Sequence, residues 1–165
     1  MYKGEYLVEP QTVFTPTKKV LSLTNPTKKM SKSDPDPMSR IYLTDTPECI
    51  QRKIKKCLTD SISDAFYYDP EARPGVSNLI NIVSGLQNKT VAQVEEDIKH
   101  MRDYRAFKGY VSDMIIEELA PVRARYESLI KDPAYLMEVA TKGSLERARP
   151  IAQRTIKRLM DRMGF

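Results

Sequence analysis

Thr44-Asp45-Thr46-Pro47-Glu48-Cys49-Ile50-Gln51-Arg52-Lys53-Ile54-Lys55-Lys56-Cys57-Leu58 is the stretch in which the chain changes its period. Thr46 is an N-cap, Pro47 suits the first helical position and Glu48 puts an acid in the first turn. Ile50, Ile54, Cys57 and Leu58 then recur at helical spacing, so the pattern predicts an amphipathic helix running to about Leu58. Upstream the runs are short and β-leaning: Tyr6-Leu7-Val8, Thr12-Val13-Phe14, Val20-Leu21-Ser22-Leu23 and Ile41-Tyr42-Leu43-Thr44, cut by Pro10, Pro16, Pro26, Pro35 and Pro37. Short strands of this kind need partners, so residues 1–45 read as the tail of a sheet domain and residues 46–165 as a helical one.

Downstream, a turn-rich connector from Asp60 to Gly75 precedes a mostly apolar helix from Val76, expected to close near Gly85. Thr90 caps the next helix, with Val91, Val94, Ile98 and Met101 facing inward. A long helix is predicted from Tyr104 to Ile130, its core face formed by Val111, Ile115, Leu119, Val122, Tyr126 and Leu129, and Pro121 is expected to kink or divide it. Pro133 restarts a helix that Lys142-Gly143 should end, and Ser144 opens the last one, Leu145 to Met163, stopped by Gly164.

The 165 residues are 41% hydrophobic and 30% charged, an ordinary globular composition, and no apolar run is long enough for a membrane span. A net charge of +5 mildly favours a polyanionic partner. Cys49 and Cys57 would lie roughly 12 Å apart along one helix, too far for a disulfide, and read as reduced thiols; no metal site is expected. Arg147, Arg149, Arg154, Lys157, Arg158 and Arg162 line one side of the last helix, and Arg52, Lys53, Lys55 and Lys56 form a second basic patch. Each is either a solvated face or an RNA contact, with Arg52, Lys56, Arg154 and Arg158 as the RNA-binding candidates. For Phe66-Tyr67-Tyr68, packing of a turn is favoured over stacking on an unpaired base.

The stretch Lys28-Lys29-Met30-Ser31-Lys32-Ser33 belongs on a loop. Without glycine it is not a P-loop. It offers two ammonium groups three residues apart, flanked by hydroxyls, which can touch several phosphate oxygens and follow charge as it moves to a leaving group. Lys29-Met30-Ser31-Lys32-Ser33 is also the spelling of a signature loop. With its flank Lys19 to Pro35, the run Tyr68-Asp69-Pro70-Glu71-Ala72-Arg73-Pro74-Gly75-Val76-Ser77-Asn78-Leu79, Thr59-Asp60 and the ending Gly164-Phe165, it closely resembles the tryptophanyl-tRNA synthetases, class I aminoacyl-tRNA synthetases of bacterial and mitochondrial type. Tyr2-Lys3-Gly4-Glu5 resembles the end of that family's catalytic domain.

The resemblance implies a mainly α fold: a helical anticodon-binding bundle, residues 46–165, preceded in 1–45 by the last short strands and KMSKS loop of a truncated Rossmann-type catalytic domain. It implies ATP binding by Val20, Lys29, Met30, Ser31, Lys32 and Ser33, with Lys29 and Lys32 catalytic, Met30 supplying backbone and packing, and Val20 meeting adenine through its main chain. The family position before Val20 is usually arginine, whereas Lys19 stands here, which keeps the charge and loses the forked geometry. It further implies Mg²⁺ with the nucleotide, tryptophan and tRNA(Trp) as substrates, a homodimer at full length, no membrane, and a mitochondrial matrix location with bacterial cytoplasm as the alternative. The first half of such a site needs a His- and Gly-containing turn; the one histidine, His100, sits in a helical context without a nearby glycine and reads as a surface residue. The chain alone is therefore expected to be inactive in adenylation, and a noncatalytic RNA-binding or regulatory module is the competing expectation.

Overall fold

The structure, a computed structural model, describes residues 7–14, 17, 19–62 and 64–165. Its helices are α1 (Pro47–Lys56), α2 (Pro74–Gln87), α3 (Val91–Ile98), α4 (Tyr104–Leu129), α5 (Pro133–Lys142) and α6 (Arg149–Met163). A 3₁₀ turn, Pro37–Ser39, precedes α1, and a π-helical stretch, Gly143–Ala148, lies between α5 and α6. The chain divides into two compact units, Phe14–Ala124 and a second made of Met1–Val13 with Arg125–Phe165.

The larger unit is built around the helix predicted first. Thr46 Oγ1 accepts from the Cys49 N–H at 3.2 Å, and Ile50 and Ile54 are fully buried. The helix ends before Leu58, because Cys57 turns extended and the Leu58 N–H donates to the Leu23 carbonyl at 2.7 Å. Lys53 leaves the proposed basic patch: it is 4% exposed and donates to Asp45 Oδ2 at 2.5 Å. α2 starts two residues earlier than Val76 and runs past Gly85 to Gln87, where Asn88 adopts the left-handed conformation that asparagine tolerates. Gly85 serves a close approach instead, since a Cβ there would stand 2.8 Å from Thr17 Oγ1. α3 carries the full capping box, Thr90 with Gln93, and buries Val94 and Ile98. In α4, Phe107, Val111 and Ile115 are buried and Leu119 half-buried, but Val122 and Tyr126 are exposed, so the expected core face stops short. The helical backbone of α4 passes through Pro121 without a break.

The β-leaning runs become no strands among the described residues; one antiparallel bridge, Leu21 to Lys29, remains. Tyr6, Pro16 and the Tyr2–Glu5 segment lie outside the described residues. Thr12-Val13-Phe14 and Ile41-Tyr42-Leu43-Thr44 are not strands, since propensity alone does not make one.

In the smaller unit the expected stop at Gly143 does not occur. Gly143 is right-handed helical, and the turn widens into π geometry, with the Arg149 N–H reaching the Ser144 carbonyl five residues back. The physical reason is Pro150: it has no N–H and its ring crowds the carbonyl four residues back, and a wider turn relieves that conflict. Asp132 caps α5 by accepting from the Tyr135 N–H at 3.0 Å, and Gly164, at φ 83°, closes α6. No residue of α5, the π stretch or α6 is buried.

Candidate phosphate-binding site

Lys29 begins the candidate site at the base of a small hairpin. Two backbone bonds close that base, Ser22 N–H to the Lys28 carbonyl at 2.9 Å and Met30 N–H to the Val20 carbonyl at 3.0 Å, flanking the Leu21–Lys29 bridge. The turn between the limbs is tied by Asn25, whose carbonyl accepts from the Lys28 N–H at 3.0 Å and whose Oδ1 accepts from the Thr27 hydroxyl at 2.7 Å. Half-buried Met30 and Val20 pack against the core, leaving Lys28, Lys29, Ser31, Lys32 and Ser33 exposed beside them. Ser31 and Ser33 share a hydroxyl–hydroxyl bond of 3.0 Å, and the Ser31 hydroxyl also accepts from the Ser33 N–H at 3.3 Å. The six sequence-predicted loop residues thus fall into two groups: Val20, Lys29 and Met30 at the pinned base, and Ser31, Lys32 and Ser33 at the free end.

Downstream, the loop is anchored by Arg40, which sequence reasoning missed. Its Nη1 donates to the carbonyls of Asp34 at 2.7 Å and Asp36 at 3.1 Å, and its Nε to the Tyr42 hydroxyl at 2.6 Å. Tyr42 in turn lies under both Arg40 and Lys53, 4.8 and 5.0 Å from the ring centre, and its N–H donates to Asp45 Oδ2 at 2.9 Å. Arg123 of α4 donates to the Asp45 carbonyl at 3.0 Å. Arg40, Lys53 and Arg123, 13 and then 70 residues apart along the chain, give no local sequence signal for such an arrangement.

A second polar centre joins Asp60 and Arg73, which stand in two of the stretches that carry the family resemblance. Arg73 is fully buried and forks onto Asp60, Nε to Oδ2 at 2.9 Å and Nη2 to Oδ1 at 2.8 Å, while also donating to the carbonyls of Ala65 and Ile62. The Tyr104 hydroxyl donates to Asp60 Oδ1 at 2.7 Å. Hydrogen bonding from Arg73, helped by Tyr104 and the Ile62 N–H, holds the Asp60 carboxyl down at about 2, against the opposing effect of burial. Burial, with the bond to Asp60, pushes the Tyr104 hydroxyl up to about 12. Phe66 stacks on Phe107 at 4.5 Å and meets Tyr104 edge-on at 5.0 Å, so this member of the aromatic cluster packs the turn as expected. Tyr67 is exposed and carries the Arg73 guanidinium 4.7 Å from its ring centre.

The RNA candidates lie on two helices. Arg52 and Lys56 are exposed one turn apart on α1, and Arg154 and Arg158 are exposed one turn apart on α6. His100 is exposed just after α3. The exposed donors at the loop, three ammonium groups and two hydroxyls, suit a polyphosphate chain by charge and by hydrogen-bonding type.

Residues 2–120 match the family described as tRNA synthetases class I (W and Y). Over all 165 residues the chain is 53% identical to the mitochondrial tryptophan–tRNA ligase of Saccharomyces cerevisiae, covering 43% of that protein. It is 40% identical over 147 residues, 89% of its length, to a tryptophan–tRNA ligase of Clostridium acetobutylicum, again covering 43% of the relative. Among solved structures, a tryptophanyl-tRNA synthetase from Mycoplasma pneumoniae shares the fold with a TM-score of 0.73 at 24% identity, over 90% of this chain and 44% of that one. The chain spans less than half the length of these relatives.

Proposed function

Because the chain belongs to the class I tRNA synthetases (W and Y), within their tryptophanyl branch, we propose that it is the C-terminal part of a tryptophan–tRNA ligase. That enzyme activates tryptophan with ATP and transfers it to tRNA(Trp). In this reading Lys29, Ser31, Lys32 and Ser33 hold the ATP phosphates, Met30 supplies backbone and packing, and the Val20 main chain meets adenine. As the tryptophan carboxylate attacks the α-phosphate, the ammonium groups of Lys29 and Lys32 stabilise charge moving onto the departing pyrophosphate. Mg²⁺ travels with the nucleotide on phosphate oxygens and screens their charge. Residues 1–45 contribute the loop to the catalytic domain and 46–165 read the tRNA anticodon, with Arg52, Lys56, Arg154 and Arg158 on the RNA phosphates. The full-length protein works as a homodimer, in the mitochondrial matrix by its likeness to the yeast relative.

The observation that carries this reading is the exposed group of Lys29, Ser31, Lys32 and Ser33 beyond a pinned hairpin base. The test is tryptophan-dependent ATP–pyrophosphate exchange in the longer protein that carries this chain. Lys32→Ala is expected to slow activation by ~10² to 10³, the scale for losing one preorganised charge donor; a rate within threefold of wild type removes Lys32 from the chemistry. The purified 165-residue chain is expected to show no exchange.

A further inference from the structure

The backbone of a strand presents its hydrogen-bonding groups alternately to its two edges. In the hairpin, the Val20 carbonyl and the Ser22 N–H face the second limb, where they meet Met30 and Lys28. Leu21 therefore directs both of its groups to the opposite edge, where no second strand lies among the described residues. There the side chain of Asn78, from α2, takes the strand's place: Oδ1 accepts from the Leu21 N–H at 2.7 Å and Nδ2 donates to the Leu21 carbonyl at 2.9 Å. Asn78 is 2% exposed and stands in a mostly apolar helix, beside fully buried Val76 and Ile80 in the sequence.

A carboxamide supplies an acceptor and a donor side by side; an ionised aspartate lacks the donor, and an aliphatic side chain lacks both. Leu21 is also the bridge partner of Lys29, and Val20, one residue before it, receives the Met30 N–H. One side chain thus fixes the residue to which both the adenine-side strand and the first lysine of the loop are registered. We propose that Asn78 is a positioning residue of the phosphate loop, holding its base against α2 so that Lys29 and Lys32 are presented to nucleotide from a rigid support. The proposal rests on the reading of this loop as a nucleotide site.

The experiment follows backbone amides of this segment by NMR within the longer protein that carries it, first by hydrogen exchange and then by titration with Mg-ATP. In Asn78→Ala the Leu21 amide is expected to exchange at least about tenfold faster than in wild type, the scale of one lost hydrogen bond. The Mg-ATP dissociation constant from the Lys29–Ser33 amides should rise about tenfold. Asn78→Asp, nearly isosteric, keeps the acceptor for the Leu21 N–H and loses the donor; it should weaken ATP in the same direction even if the alanine variant folds poorly. Val83→Ala, a fully buried site on the same helix, serves as the control and should lower the melting temperature while changing ATP affinity less than twofold. An unchanged Leu21 exchange rate in Asn78→Ala, or ATP affinity within twofold of wild type in both Asn78 variants, overturns the proposal alone. Failure of the longer wild-type protein to bind Mg-ATP at all overturns the nucleotide reading, and the proposal with it.

Discussion

In the unit Phe14–Ala124, Ile50, Ile54, Val76, Ile80, Val94, Ile98, Phe107 and Val111 are completely buried, whereas across α5, the π stretch and α6 no side chain is. The helices of the two regions are not different in kind: α6 carries Ile151, Ile156, Leu159 and Met160 on its apolar side as clearly as α1 carries Ile50 and Ile54. The larger unit ties distant segments together through Arg73–Asp60–Tyr104, Asn78–Leu21 and Lys53–Asp45. In the smaller unit, the Asp132 cap and the Lys142–Glu138 pair one turn apart are local bonds. An amphipathic stripe states that a helix needs a partner, and the long-range polar bonds fix which partner it gets and at what register.

The sharpest way to break that contrast is to remove the central fastening. Arg73→Ala leaves the Asp60 carboxylate and the carbonyls of Ile62 and Ala65 without their donor, and breaking a buried pair of this type costs about 3–5 kcal/mol. Urea unfolding followed by circular dichroism should show the loss; a cost under about 1 kcal/mol would mean that packing alone holds the larger unit.

Acid should pull on the same fastening more gently. The Asp60 carboxyl is held at about 2, below its ordinary value of 3.8, so the pairing stabilises fully above that ordinary value and is lost as pH falls through about 2. The difference amounts to about 2 kcal/mol. Melting temperature should therefore decline between pH 4 and pH 2 in the wild type, and the decline should be shallower in Asp60→Asn; equal slopes would place the acid sensitivity elsewhere.

The division between the regions also decides what could be read beforehand. Features set by near neighbours were legible: the Thr46 and Thr90 caps, the apolar spacing of α1 and α3, and the lysine-serine stretch as a loop. Features set by distant neighbours were not. Asn78 looks like an interruption of an apolar run until Leu21 is placed beside it, and Lys53 looks like one more surface lysine until Asp45 closes on it. Gly85 and Gly143 both resemble helix stops. The first instead lets Thr17 approach, and the second continues the helix into a π turn ahead of Pro150. The core face of α4 was extended too far because the spacing continues through Tyr126 while the partners end near Leu119.

The smallest expected effect sharpens the comparison from the other side. Ile156 on α6 is 55% exposed, so Ile156→Ala removes little apolar area from contact and should change stability by no more than about 0.5 kcal/mol, the usual range for such sites. Ile54→Ala, the same kind of stripe position on α1 but completely buried, should cost about 2–5 kcal/mol. Measured together by urea unfolding at two protein concentrations, the pair isolates burial from helical pattern. A cost above about 1 kcal/mol for Ile156→Ala that grows with protein concentration would show that the α6 stripe finds its partner on a second chain, and the contrast between the regions would then belong to the monomer alone.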